Sequence, residues 1–171
     1  MYMPETLESY IHAFAGWLEQ QAFAVAIADS AWLFPTVEIV HVFALSIVVG
    51  SISMIDLRLL GLYGGHRSLR EMTERILPWT WCAFLVAASA GFALFSSKAT
   101  MYVDNPAFQI KMIALALAGM NMLTFQLVTS RTMSDWDNGP APVPARIAGG
   151  ISLMLWITVV AAGRWIGFLA T

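Results

Sequence analysis

The chain has 171 residues, of which 58% are hydrophobic and only 12% are charged. Soluble domains average about 45–50% apolar and about 25% charged residues, so this composition excludes an ordinary soluble domain and a disordered chain. The net charge of −2 provides no field for binding a nucleic acid, and the single cysteine excludes an intrachain disulfide. This balance is typical of an integral membrane protein.

Residues 1–34 are predicted to form an amphipathic segment that lies in the membrane interface. Acidic residues interrupt its two short apolar stretches, and neither stretch is long enough to cross a bilayer. Tyr10, Phe14 and Trp17 recur at helical spacing and form one apolar stripe. Because aromatic side chains favour the headgroup region, we expect these helices to lie on the membrane surface.

Residues 35–171 are predicted to form an all-α membrane domain, a bundle of four transmembrane helices. A spanning helix needs about 20 mostly apolar residues, and four stretches meet that requirement. They show no alternation of polar and apolar residues, which argues against strands. The predicted spans cover about residues 35–62, 76–97, 106–129 and 146–170.

The distribution of Lys and Arg predicts the orientation of these spans. Four arginines lie in or beside the first loop, and two more lie in or beside the third: Arg58, Arg67, Arg70, Arg75, Arg131 and Arg146. Cytoplasmic loops carry the excess of positive charge. We therefore expect a multi-pass protein of the bacterial inner membrane, with both termini in the periplasm.

Four ionisable side chains are predicted to share one layer near the periplasmic ends of the helices. Glu38 and His41 lie on one face of the first span, Lys111 lies in the third, and Arg164 lies near the end of the fourth. At 1.5 Å per residue, all four lie roughly 5–10 Å below the membrane boundary. Ionisable groups at such depth are costly unless they are paired or bind a ligand, so this layer is the predicted site.

Two interpretations of this layer are open. A network of salt bridges between helices is one, and a cofactor pocket is the other. In a pocket, His41 would ligate a single b-type haem or hydrogen-bond a quinone, and the two cations would bind an anionic group. A metal site is a further alternative, in which His12 and Glu8 of the N-terminal segment join His41 and Glu38.

Three other polar residues are predicted to be structural. Asp56 and Arg58 end the first span, where their two-residue separation prevents them from pairing with each other. Asp56 is expected to reach Arg131 or Arg146 instead, as a clamp at the cytoplasmic interface. Asn121 in the third span is expected to hold two helices together.

Several strings in the sequence resemble a family of small bacterial inner-membrane proteins of unknown function. They include WLFPTVEIVHVFALSIVVG, DLRLLG, LPW, NPAFQIKM and GRWIGF. The resemblance extends from about Trp17 to Phe168. It implies four spans and a bacterial envelope location, and it implies no established activity.

The sequence contains none of the common catalytic motifs, which favours a non-enzymatic protein. The predicted function is a cofactor-binding electron-transfer subunit that carries a haem or a quinone. The alternatives are a structural or assembly subunit of a larger membrane complex and a transporter of a small solute. The expected partners are the lipid bilayer and either other membrane subunits or further copies of this chain.

Overall fold

The computed structural model describes residues 5–63, 68–129, 136 and 139–169. These residues form helices without any strand, as predicted. Four of the helices are long and apolar enough to cross a membrane. The elements are α1 Glu5–Glu19, α2 Ala22–Asp29, α3 Leu33–Leu59, α4 Leu69–Ser97, α5 Ala99–Asp104, α6 Pro106–Thr124 with a π-helical turn Phe125–Thr129, and α7 Val143–Leu169.

Local sequence signals explain where these helices begin and end. Ser68 caps α4 by accepting a hydrogen bond from the Glu71 backbone N–H at 3.1 Å, and the S-x-x-E spacing is that of a capping box. Asn105 caps α6 in the same way, and Pro106 follows as its first residue. Gly61, with φ +78°, ends α3 in the left-handed conformation that glycine tolerates best.

The four long helices pack in the order α4, α3, α7, α6, because α3 contacts α4 and α7, and α7 contacts α6. Small residues form the contacts. Ala83 and Ala87 of α4, and Ala114 and Ala118 of α6, are buried, whereas large apolar side chains such as Phe43, 70% exposed, face outward. Such packing is expected in a bilayer, where only close approach of the backbones favours association of helices.

The two short N-terminal helices, together with α5, cover one end of the bundle. We name this the capped end. Ala15 and Leu18 of α1 are buried against Ala99 of α5. Tyr10 and Trp17 of α1 remain exposed, as expected for a helix that lies in the interface. The opposite end, at which α3 finishes and α4 begins, is named the arginine end for Arg58, Arg70 and Arg75.

The neighbours α4 and α6 meet at the capped end and make few other direct contacts. There the rings of Phe95 and Phe108 stack, with centroids 5.3 Å apart and planes only 7° from parallel. Toward the arginine end a cavity lies between the two helices. Few contacts therefore join α4 to α6 at this level, and the cavity there is part of the site described next.

Candidate functional site

Polar side chains gather at two levels of the bundle. The first level, the His41 site, consists of Glu38, His41 and Lys111 near the capped end. The second level, the Asp56 cavity, lies near the arginine end. His41 and Asp56 are 15 residues apart on α3, so about 22 Å of helix separates the two levels.

At the His41 site, glycine in a neighbouring helix accommodates the imidazole. His41 Nδ1 lies 2.8 Å from the carbonyl oxygen of Ala87 in α4 and donates a hydrogen bond to it. A Cβ at Gly91 would lie only 2.9 Å from the imidazole Cε1, so the ring occupies space that any larger residue would fill. The other ring nitrogen, Nε2, makes no recorded hydrogen bond within the described residues.

Lys111 lies beside a second glycine, Gly163 of α7. The lysine Nζ lies 3.6 Å from the position that a Cβ would take at Gly163, and Cδ and Cε lie at 3.8 Å. The lysine side chain is half-buried and lies within electrostatic range of His41. No carboxylate of the described residues is within 4 Å of its ammonium group.

Glu38 lies beside the same site but is exposed. It is within electrostatic range of His41 and of Tyr102 in α5. Burial, and secondarily the negative charge of Glu38, raises the pKa of the Tyr102 phenol above its ordinary value. Of the residues predicted for this layer, Glu38 and Lys111 are thus within electrostatic range of His41.

Arg164, the fourth residue predicted for the layer, is placed elsewhere. Its side chain is exposed, and its guanidinium carbon lies 5.3 Å from the centre of the Phe168 ring on the same helix. The contact is a cation–π interaction within α7. The structure shows no contact between Arg164 and His41, Glu38 or Lys111, so proximity in depth did not bring it into the group.

The metal prediction named His12 and His41 together. His12 Nε2 instead lies 3.2 Å from the Asp104 carboxylate, which ties α1 to α5. Across residues 5–63, 68–129, 136 and 139–169, no group of three or more His, Cys, Asp or Glu side chains is placed to hold a metal ion.

The Asp56 cavity was missed at the level of sequence. It has a volume of about 240 Å³ and lies between α4 and α6, with α3 and α7 behind it. Most of its lining is apolar, and four aromatic side chains contribute: Trp81, Phe84, Phe125 and Trp156. A small number of polar groups in an otherwise apolar cavity is the common composition of a ligand site.

Asp56 is the ionisable side chain of this cavity. It is only 4% exposed, and Ser152 of α7 is its hydrogen-bonding side-chain neighbour. Its Oδ2 atom is buried and has no hydrogen-bond partner among the described residues. A buried carboxyl oxygen without a partner costs on the order of 1–3 kcal/mol, or more when it is charged. A ligand that donates to it, or accepts its proton, would remove that cost.

Of the two predicted partners of Asp56, only Arg146 lies in the part of the chain that the structure describes. Arg146 is exposed, and Arg131 lies outside the described residues, as do Arg67 and the first-loop residue His66. Arg58 is buried and donates a hydrogen bond to the Gly139 carbonyl at 3.4 Å, so it ties the third loop to the end of α3. Asp56 and Arg58 were both predicted to be structural, and Arg58 is the one that contacts the third loop.

Asn121 makes a hydrogen bond from α6 to α7. Its Nδ2 donates a hydrogen bond to the Ala148 carbonyl of α7 at 3.0 Å. The same residue also lines the cavity, as does Phe125 in the adjoining π-helical turn. Turns of this type are rare and often occur at functional sites. The only sequence signal for the cavity was a carboxylate, Asp56, in an apolar helix.

These features define a multi-pass helical membrane protein with a buried carboxyl group in the wall of an apolar cavity. The chain belongs to a family of unknown function (DUF6644), whose model matches residues 17–169. This confirms the family resemblance found in the sequence. No curated protein and no solved structure matches the chain.

Proposed function

We propose that this protein binds a quinone in the Asp56 cavity and thereby takes part in membrane electron transfer. A quinone is a flat lipophilic ring with carbonyl oxygens and an apolar tail. The observation that carries the proposal is the buried Asp56 carboxyl, with an oxygen that lacks a partner, in the wall of an apolar cavity. Residues at this level, rather than at His41, would bind the ring.

The size of the cavity favours a single substituted ring. An apolar cavity of about 150 Å³ is enough to bind benzene. The Asp56 cavity, at about 240 Å³, therefore has room for a ring with small substituents. It is too small for a porphyrin, so of the two predicted cofactors the quinone suits this cavity.

The lining of the cavity supplies both kinds of contact that a quinone needs. Trp81, Phe84 and Trp156 offer aromatic surfaces for a planar ring. Ser152 and Asn121 carry groups able to donate hydrogen bonds, and a protonated Asp56 carboxyl is a third donor to a carbonyl oxygen. The apolar remainder of the cavity extends along α3 toward Val48, over about 12 Å of helix.

The opening between α4 and α6 supports entry from the bilayer. Trp81 of α4 and Gln126 beyond α6 line the cavity and are both exposed on the outer surface of the bundle. At the arginine end, Trp136 and Phe125 pack against the cluster that contains Leu59 and Leu69. A ligand that resides in the membrane would therefore reach Asp56 without crossing water.

The arginine distribution supports an orientation in which the arginine end, and with it the Asp56 carboxyl, lies near the cytoplasmic face of a bacterial inner membrane. Both termini would then lie in the periplasm. In this orientation the proton that accompanies quinone reduction would be taken from the cytoplasmic side.

Binding of a short-chain benzoquinone to the purified protein in lipid nanodiscs tests the proposal. Quenching of tryptophan fluorescence reports occupancy, because Trp81 and Trp156 line the cavity. We expect saturable binding, and Asp56→Asn should weaken it at least tenfold because it removes the carboxyl while keeping the shape. Glu38→Gln is the matched control, since it neutralises a carboxyl on the same helix outside the cavity.

Equal affinity of the wild-type protein and Asp56→Asn would refute the proposal, as would quenching that never saturates. Organic extraction of the protein from native membranes provides an independent measurement, and a stoichiometric quinone in the extract is expected. A Soret absorption band in the same preparation would favour the haem predicted at His41 instead.

A further inference from the structure

The His41 site has a different chemistry from the cavity, and it lies at the other end of the bundle. Its two basic side chains each lie where a neighbouring helix has a glycine: His41 against Gly91, and Lys111 against Gly163. At Gly91 a Cβ would come within 3.1 Å of two imidazole atoms, so the sequence leaves room there for the ring. At Gly163 the Lys111 side chain lies at ordinary contact distance, 3.6–3.8 Å from the Cβ position, so it packs directly against that glycine.

The charges at this site are unbalanced. Lys111 is half-buried, and no described carboxylate lies within 4 Å of it. Two other acids at the capped end have partners of their own: Asp104 contacts His12, and Glu19 accepts two hydrogen bonds from Thr100. Glu38 is the acid near His41, and it is exposed. A half-buried ammonium without a counter-ion is a place for an anion.

Lys111 lies at the depth at which phospholipid phosphates are within reach. It is five residues into α6 from Pro106, which places its backbone roughly 8 Å inside the helix end. A lysine stem at such depth extends toward the membrane boundary. The Nδ1 of His41 donates a hydrogen bond to the Ala87 carbonyl, so Nε2 is the nitrogen that would contact a ligand. Both groups suit the oxygen atoms of a phosphate.

We propose that Lys111 and His41 form a binding site for a phosphate group at the capped end, and that the phosphate belongs to the headgroup of an acidic phospholipid. The ammonium of Lys111 supplies the charge, and the imidazole Nε2 supplies a second polar contact. The site is independent of the Asp56 cavity, so either proposal stands if the other fails. A bound lipid would fix α6 against α3 and α7 at the level where α4 and α6 meet.

Native mass spectrometry of the protein in a neutral detergent, titrated with phosphatidylglycerol, tests this site. We expect Lys111→Gln to lower the affinity at least fivefold. Lys98→Gln is the matched control and should change it less than twofold, because Lys98 is an exposed lysine at the same end, with its Nζ 5.1 Å from the Phe34 ring centre. Equal losses in the two variants, or no loss in Lys111→Gln, would overturn the proposal.

A second pair of variants leaves every charge in place. Gly163→Leu fills the space beside the Lys111 stem, whereas Gly167→Leu lies one turn away with nothing within 4 Å of its Cβ position. We expect only the first to lose the lipid, and retention by Gly163→Leu would contradict the site. A third arm adds inorganic phosphate at millimolar concentration. Displacement of the lipid by phosphate assigns the site to free phosphate, and its failure to displace supports the headgroup.

Discussion

Substitution of Gly91 by alanine tests whether the contact between α3 and α4 depends on room for the His41 ring. A Cβ at this position would lie 2.9 Å from Cε1 and 3.1 Å from Nδ1, whereas ordinary contacts begin near 3.4 Å. The ring must therefore move by about half an ångström, and the 2.8 Å hydrogen bond from Nδ1 to the Ala87 carbonyl cannot survive at full strength.

The expected magnitude follows from two opposing effects. Leaving a buried polar pair unsatisfied costs about 1–3 kcal/mol. Alanine is favoured over glycine in a helix interior by up to about 1 kcal/mol, which offsets part of that cost. Gly91→Ala should therefore lower the free energy of unfolding by about 1 kcal/mol. Gly50→Ala on α3 has nothing within 4 Å of its Cβ position and should be neutral or stabilising.

Unfolding of both variants in mixed micelles, titrated with a denaturing detergent, measures the difference. The reasoning predicts a gap of about 2 kcal/mol between Gly91→Ala and Gly50→Ala. In a His41→Ala background the ring is absent, so Gly91→Ala should lose its penalty. If the two glycine variants are equally stable, or if the penalty persists without His41, the steric argument is wrong.

Three further predictions concern the arginine end. Gly149→Ala should destabilise the protein by about 1–3 kcal/mol in the same assay, because its Cβ would lie 3.1 Å from Leu59 Cβ and 3.2 Å from the Asp56 carbonyl oxygen, and backbone yields little. Asn121→Leu should cost about 0.6 kcal/mol and at most about 1.7, since it removes one bond to the Ala148 carbonyl; a larger loss would mean that the cavity itself had collapsed. Asp56→Asn should leave the unfolding free energy unchanged or raise it, because the carboxyl has an oxygen without a partner; a drop above about 2 kcal/mol would show that Asp56 is a structural clamp after all.

The sequence predicted much of the fold, because membrane helices satisfy their backbone hydrogen bonds internally and are therefore visible as long apolar stretches. Small residues four apart occur on more than one of these helices, and Ala83 and Ala87 of α4 are buried. Ser46 and Gly50 have the same spacing of small residues on α3 and are exposed instead. Spacing alone does not reveal which face of a helix meets a neighbour.

In the candidate site, too, the sequence indicates where a residue lies along its helix but not which neighbour it contacts. Lys111 lies within electrostatic range of His41, but Arg164, predicted at a similar depth, lies against Phe168 on an exposed face. Depth follows from counting residues at a fixed rise, whereas rotation about the helix axis depends on packing with other helices. A prediction based on depth alone therefore does not identify which side chains contact one another.

What the sequence by itself determined is the class of protein, the number of membrane-crossing helices and the level at which each polar side chain lies, because these depend on composition and on the fixed rise of a helix. The tertiary structure alone decided that α4 and α6 make few contacts besides the stacked rings of Phe95 and Phe108, and that Asp56 lines a cavity enclosed by the four long helices. That outcome depends on which helices approach closely, and the approach is set by contacts between residues far apart in the chain.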